Sequence, residues 1–472
     1  MKQALHIFKK DVRYLRYEIA ITLIAVLAFA IAGAHHISTI GVFLPVLWWF
    51  LIARVVYAEP LPGYRQFWIT RPYERKSLFG AKALFILCFV NLPLLIADAI
   101  ILLAVGLSVA HHLGGLLWTQ VLLTVAFVLP AAAFAVMASG LGELVIATLL
   151  IVVGILIWLS GLFLRGGSPW FELEWVRTYC LIAELAAAAA IVVLWQYARR
   201  NTLATRFVMI VAAIVLLASY ALLPWTPAFA LQTHLSRWKV NPNSIRVALD
   251  SDRKWLGRVY TDEREQVIAE LPLRITGLPA GTVPEPNGLT VSLRAPDGAA
   301  WTAKQPAPSG VNFEAGIPSL RAAMGKDFYA KVKNQPLQLQ GTLYLTLYGN
   351  GQTTNVPLDG GLVPVHDVGV CSANEHFVRC QAAFRPPLDW VTIRIWQTAQ
   401  RGPRTTVEPP FPRPSYSPFP ADLGIDPVYQ SLWRPNADTI TAAQVQTVQP
   451  IAYLECKFDI EQVRLSDFVA MK

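Results

Sequence analysis

A polytopic α-helical membrane domain of about seven spans, followed by a mainly β, sandwich-like extracytoplasmic domain, is the fold class that three features predict. The chain of 472 residues is 54% hydrophobic and only 15% charged, below the roughly 25% charge usual for soluble domains. Its mean hydropathy is +0.43. Apolar runs of about 20 residues, the length a membrane helix needs, recur up to Leu223 and then stop, after which polar and apolar residues alternate among many prolines. The predicted domains are residues 1–17, an amphipathic interfacial helix, residues 18–225, the spans, and residues 226–472, the β part.

In the leader, Phe8, Val12, Leu15 and Ile19 recur at helical spacing with Lys9, Arg13 and Arg16 on another face, which predicts a helix lying on the membrane surface. The first apolar run, Ile19 to Ala34, ends in Ala32-Gly33-Ala34 and so also fits a signal-peptidase site. A leader containing Tyr14, Tyr17 and Glu18 is unlike a short basic n-region, which favours an uncleaved span. Further spans are expected at Ser38 to Val56, Ala83 to Leu107, Leu116 to Ala138, Leu144 to Leu164, Tyr179 to Tyr197 and Phe207 to Leu223. With the N-terminus inside, fourteen lysines and arginines from Lys2 to Arg206 flank the spans on the cytoplasmic side, against Arg165 and Arg177 in short outer loops. The positive-inside rule fixes that orientation, and an odd number of spans then places everything after Trp225 outside. The same placement accounts for the net charge of +9 without nucleic acid as a partner.

In the external part, alternation over Val267 to Ile275, Leu289 to Leu293 and Leu337 to Leu347 predicts strands, with Asn350-Gly351 as a two-residue hairpin turn. Val391 to Trp396 and Ile451 to Ile460 add strands, and Pro318 to Lys333 reads as a short helix between them. Such spacing suits a sandwich. Arg401 to Pro420 is too proline-rich for regular structure and reads as an extended loop.

Residues 58–82, AEPLPGYRQFWITRPYERKSLFGAK, form a basic inner loop punctuated by Pro60, Pro62 and Pro72, with Tyr64, Phe67, Trp68 and Tyr73 among the charges. Prolines prevent one continuous helix, and the aromatic residues offer apolar anchors to a partner. Glu59, Gly63, Pro72 and Lys82, with Leu78 and Phe79 before the lysine, stand in a register that resembles the loop after the second span in membrane subunits of ABC-2-type transporters. Arg71 stands where that family has threonine or serine, and Ala81 where it has glycine. The resemblance covers the loop and the adjoining helix starts. It implies a permease subunit in a bacterial cytoplasmic membrane, exporting a lipid, polymer or drug-like cargo. It also implies a second membrane subunit, identical or not, and a separate ATP-binding subunit that carries ATP and magnesium. Glu59, Gly63, Arg71, Pro72 and Lys82 would be the partner-coupling residues. Six spans are usual in that family, so a seventh looks like an added anchor for the external domain.

Inside the predicted spans, Asn91 and Asp98 lie seven apart and so on one face of the third, and Glu184 lies in the sixth. An aspartate at a helix centre costs about 2.5 to 3.5 kcal/mol on insertion scales. Two readings are open for these residues: a substrate or proton path, and packing contacts or positions near the outer interface. Cys371 and Cys380 flank a short hairpin in an oxidising compartment, which predicts a disulfide. His366, Cys371, His376 and Cys380 match no defensible zinc spacing, and no metal site is predicted. The pairs His35-His36 and His111-His112 fall at outer span ends, and Cys456 is left over in the external part.

The chain has no GxxxxGK[ST], since Gly325-Lys326 is followed by Asp327, and no HExxH or GxSxG. It is therefore expected to be non-catalytic and without a cofactor of its own. The alternative is a membrane-anchored receptor or envelope-interaction protein acting through its β domain. An intramembrane enzyme built on Asp98, Glu184 and the histidine pairs is a third reading.

Overall fold

The computed structural model describes residues 2–34, 43–58, 75–104, 106–163, 174–199, 201–222, 225–252, 257–261, 266–303, 311–314, 317–365, 369–374, 377–382, 392–399, 426–431 and 440–470. The N-terminal half is helical. Helix α1 (Lys2–Tyr14) leads into α2 (Arg16–Ala34), followed by α3 (Leu44–Tyr57) and α4 (Arg75–Ile86). A π-helical segment, Leu87–Asn91, joins α4 to α5 (Leu92–Ala104), and a second, Leu123–Val128, joins α6 (Val109–Leu122) to α7 (Leu129–Met137). Then come α8 (Leu141–Phe163), α9 (Glu174–Arg199), α10 (Thr202–Leu222) and α11 (Trp225–His234).

Both π segments have one cause. Pro93 and Pro130 lack the N–H that would close a regular turn, and their rings would collide with the carbonyl four residues back. The N–H of the residue just before each proline reaches back five positions instead, Leu92 to the carbonyl of Leu87 and Leu129 to that of Thr124. The helix widens locally and continues, so Lys76–Ala104 and Val109–Met137 each remain one rod of 29 residues.

Among the described residues, five helices are long and apolar enough to cross a membrane: Arg16–Gly33, Lys76–Ala104, Val109–Met137, Arg177–Arg199 and Thr202–Tyr220. The expected count of seven is thus corrected. Helix α3 starts at Leu44, with Pro45 in its first turn, and has 14 residues. At 1.5 Å per residue it reaches about 21 Å, short of the roughly 30 Å of a bilayer core. Leu141–Leu150 is a shorter apolar stretch that opens the 23-residue helix α8. Arg177, expected in a loop, lies inside α9, where it is buried and stacks 4.0 Å from the Tyr220 ring.

The helices pack around a cluster of Leu15, Phe29, Trp48, Phe85, Leu94 and Ile101. Gly33 allows α2 to close on α5, since a Cβ there would come within 2.6 Å of Ile101 Cδ1.

The C-terminal half is mainly β. Its strands are β1 (Arg246–Leu249), β2 (Arg258–Thr261), β3 (Val267–Thr276), β4 (Thr282–Arg294), β5 (Ala300–Thr302), β6 (Val311–Glu314), β7 (Ile317–Met324), β8 (Leu337–Val356), β9 (Val363–Val365), β10 (Gly369–Ala373), β11 (Phe377–Ala382), β12 (Thr392–Ala399), β13 (Asp426–Ser431), β14 (Ile440–Val463) and β15 (Val469–Ala470). One sheet runs β15-β2-β3-β7-β6 with β1 on β3, a second β12-β14-β8-β4-β5, and a third β13-β11-β10-β9. The first two sheets enclose a core of leucines and valines that includes Leu271, Leu320, Leu343 and Leu454. The mainly β character expected of this half is thus present.

Two strand expectations fail. Asn350-Gly351 is not a turn: β8 runs through both residues and pairs antiparallel with β14, Asn350 opposite Val448. A register shift between Gln446 and Val448 stands there instead, because 353–356 finds a partner in 443–446 and pairing prevails over the local turn preference. Ile317–Met324 is a strand, and only Lys326–Val332 (α12) is helical.

The β8–β14 ladder serves two cores. Its Leu337 to Leu347 end lies in the large core, while Val356, Ala443 and Val445 pack with Val365, Cys371, Ala373, Val378 and Cys380 of the third sheet. At about 3.3 Å per residue the 20 residues of β8 extend on the order of 65 Å. Cys371 and Cys380 stand directly opposite each other in β10 and β11 and form the expected disulfide. The proline-rich stretch 401–420 lies outside the described residues.

Candidate functional site

Helices α2, α4, α8 and α10 begin, and α3 and α9 end, on one rim of the bundle, where Arg54, Lys82, Arg199 and Arg206 stand. Helix α1 lies along α4 on this rim. Its Ile7 is fully buried in a cluster with Ala53, Leu78 and Ala81, and Phe8 stacks on Phe89 at 6.1 Å between ring centroids. The amphipathic pattern thus seats α1 on protein through its apolar face. One turn on, Asp11 accepts a hydrogen bond from Lys82 Nζ at 2.8 Å, with side-chain exposures of 0% for the carboxylate and 5% for the lysine. Both charges have left water, so the pair holds only while both partners remain.

Two further ties follow the rim. Arg54 donates through Nε and Nη2 to Glu18 Oε1 at 3.2 and 3.1 Å, fixing α3 to α2, and its guanidinium lies 5.6 Å from the Tyr14 ring. Glu143 accepts from the Ser139 backbone N–H at 2.6 Å and pairs with Arg206 at 2.6 Å, so the start of α8 is fixed to α10. Arg206 also donates to the Met137 carbonyl at 3.3 Å, and the Tyr57 hydroxyl to that of Gly140 at 3.4 Å.

Of the predicted coupling residues, Lys82 is the one described, and its ammonium faces Asp11 inside the protein rather than an open surface. Glu59, Gly63, Arg71 and Pro72 lie outside the described residues. The loop's last predicted residue is therefore fastened to α1. Sequence reasoning missed Asp11 as its partner. The signal was an acidic residue in an otherwise basic, amphipathic leader.

Within the bundle the two π segments meet. Asn91, the last residue of the first, is buried and donates through Nδ2 to Thr124 Oγ1 at 3.0 Å and to Gln120 Oε1 at 3.3 Å. Asp98, two turns on along α5, is fully buried, and neither of its oxygens has a hydrogen-bond partner. Glu184 belongs to another helix pair, where it accepts from Ser219 Oγ at 2.9 Å and joins α9 to α10. Gln120 and Thr124 thus join Asn91, Asp98 stands two turns further along the same rod without a hydrogen bond, and Glu184 belongs to a different helix pair.

At the start of α6, His111 and His112 lie with ring centroids 5.0 Å apart, and His112 Nδ1 is 2.8 Å from the Ser108 carbonyl. His35, His36, His366 and His376 lie outside the described residues, which contain no group of three or more histidines, cysteines or carboxylates able to hold a metal. Cys456 is buried in the large β core, and burial pushes its thiol up to about 11.

The β half is fastened to the helices through α11. Phe229 is fully buried, with its ring centroid 5.0 Å from that of Tyr344 and 6.4 Å from that of Tyr453, on the face of the second sheet opposite the large core. Beyond α11 the Trp238 N–H donates to the Ile451 carbonyl at 2.8 Å. Comparison with family models, with curated proteins and with solved structures gives no match for this chain.

Proposed function

We propose that this chain is a non-catalytic permease subunit of the ABC-2 transporter type, seated in a bacterial cytoplasmic membrane. A separate ATPase carrying ATP and magnesium would drive it, and a second membrane subunit would complete the pathway. The observation that carries the reading is the buried Asp11–Lys82 pair. It joins the amphipathic helix to the helix that leaves the loop 58–82, so a push on the loop and a push on α1 arrive at the same rod. That rod, Lys76–Ala104, holds the first π segment, Asn91 and Asp98. Movement of the rim would pass along it to the polar residues of the bundle, exchanging inward-open and outward-open states. The basic rim faces the cytoplasm by the positive-inside rule, and the β half stands outside, where its disulfide is stable.

The test is purification of the tagged chain from its native membrane in mild detergent, beside a Glu59→Ala, Pro72→Ala variant. An ATP-hydrolysing chain that accompanies the wild type and is lost from the variant supports the coupling role. Absence of any ATPase, under conditions that keep other transporters whole, overturns it.

The packing of Phe229 against Tyr344 and Tyr453 favours a second reading, a membrane-anchored receptor in which the β half binds a ligand and α11 relays the event to the helices. In that case changes to the loop leave activity intact and deletion of the β half abolishes it.

A further inference from the structure

Asp98 is 0% exposed, and neither carboxyl oxygen is hydrogen-bonded. A carboxylate there would lose its hydration with nothing in exchange. Among the described residues, the surrounding helices bring no cation to it. Positions 22–33 of α2 hold no ionisable side chain, and neither do positions 113–128, which run through α6 and the second π segment.

The ionisable groups on the elements packed around α5 stand at their ends. Helix α2 has Arg16, Tyr17 and Glu18 at its start, with Glu18 held by Arg54 of α3. Helix α6 has His111 and His112 in its first turn. On its own rod, Lys82 is held by Asp11, and Cys88 lies in the π segment. Val370 of β10 joins the same apolar cluster, and β10 adds only the disulfide-bonded Cys371.

We propose that Asp98 is a proton-binding site in the membrane core. Its carboxyl carries a proton while the helices are packed as seen, and releases it when α5 shifts against α2 and α6 and water reaches the group. The O–H bond then breaks, the electron pair stays on the carboxylate and the proton passes to water. The means of that shift lie one turn or more below. Each π segment is a wide turn that can tighten to a regular one and so rotate the helix beyond it. The bonds from Asn91 to Thr124 and Gln120 tie the two segments, so the two helices would turn together. A proton would thus be taken up in one conformation and given up in the other, which couples the bundle to pH whatever else drives it. The inference does not rest on the ATP-coupled reading, and either can fail alone.

The test is infrared spectroscopy of the full chain in lipid vesicles at neutral pH, comparing wild type with Asp98→Asn and Asp98→Glu. The expected result is a carboxylic-acid C=O band that disappears in the asparagine variant and moves in the glutamate variant. Should the asparagine variant fail to fold, the glutamate shift alone assigns the band. If the only intensity that changes belongs to an ionised carboxylate, Asp98 is charged in the packed state and the proposal is overturned. Co-purification of an ATPase leaves either result as it stands.

Discussion

The helical half and the β half differ in how far they take an ion pair out of water. On the helical rim the decisive ion pair is buried, Asp11 with Lys82 at 2.8 Å, and Glu18 with Arg54 is partly so. In the β half each ion pair among the described residues keeps an exposed partner: Arg274 with the buried Asp250, Arg321 with the buried Glu270, and Lys331 with Asp297 at 3.2 Å, at 58% and 37% exposure. The β half relies on a leucine-rich core, one long ladder and a disulfide. A bilayer removes the apolar driving force between helices, so specific polar contacts must decide which helices meet. A β half with a large leucine-rich core specifies its pairing mainly through burial and ladder hydrogen bonds, and can leave one partner of each ion pair in water.

The comparison breaks hardest at Lys82. Lys82→Met leaves the buried Asp11 carboxylate without its cation and should cost about 3 to 5 kcal/mol, read as a lowered unfolding midpoint in detergent. Asp11→Asn added to it should recover most of the loss. Next comes Phe229→Ala, which empties a buried site where the halves join. Loss of roughly 3 kcal/mol should show as faster proteolysis between α10 and β1 with both halves still folded.

Replacing Cys371 and Cys380 by alanine should weaken only the small β core, by about 2 to 3 kcal/mol for so short a loop, checked by thermal unfolding with and without reductant. Lys331→Ala should change stability by less than about 1 kcal/mol. If it rivals Lys82→Met, the contrast between the halves is wrong. A separate check is the pH response of Cys456. Its thiol ionises near its ordinary value once unfolded but only at about 11 when folded. The unfolded state therefore binds fewer protons between those values, and stability should begin to fall as pH rises above roughly 9. Alkylation of folded protein at pH 8 should be negligible, and rapid labelling there would show the core open.

The same contrast governs what could be read from the sequence. Hydropathy located the long helices near their observed bounds, because a run of 20 apolar residues has few other uses. It miscounted where length failed, at α3. Alternation found β3, β4 and the first half of β8, since a half-buried strand shows its period locally. It missed that β8 continues through Asn350 and Gly351, because the partner strand lies far along the chain. The π segments were signalled by Pro93 and Pro130, yet a proline inside an apolar run does not say whether the helix kinks, ends or widens. The Asp11–Lys82 pair was hidden for a similar reason: either residue alone reads as one more charge beside a membrane.

The β8–β14 ladder has a consequence for how the protein is made. Each helix of the N-terminal half finds a neighbour soon after it is synthesised. By contrast, β14 begins roughly 80 residues after β8 ends, and closing so distant a pair is slow. Until β14 emerges, β8 has only β4 beside it, and its other edge stays open along a strand of 20 residues, an edge of the kind that recruits other chains. Both β cores wait on that one event. Biogenesis of this protein should therefore be most vulnerable late, when its helices are already made and one edge of β8 still lacks its partner, and a chaperone that shields open strand edges would matter most in that interval.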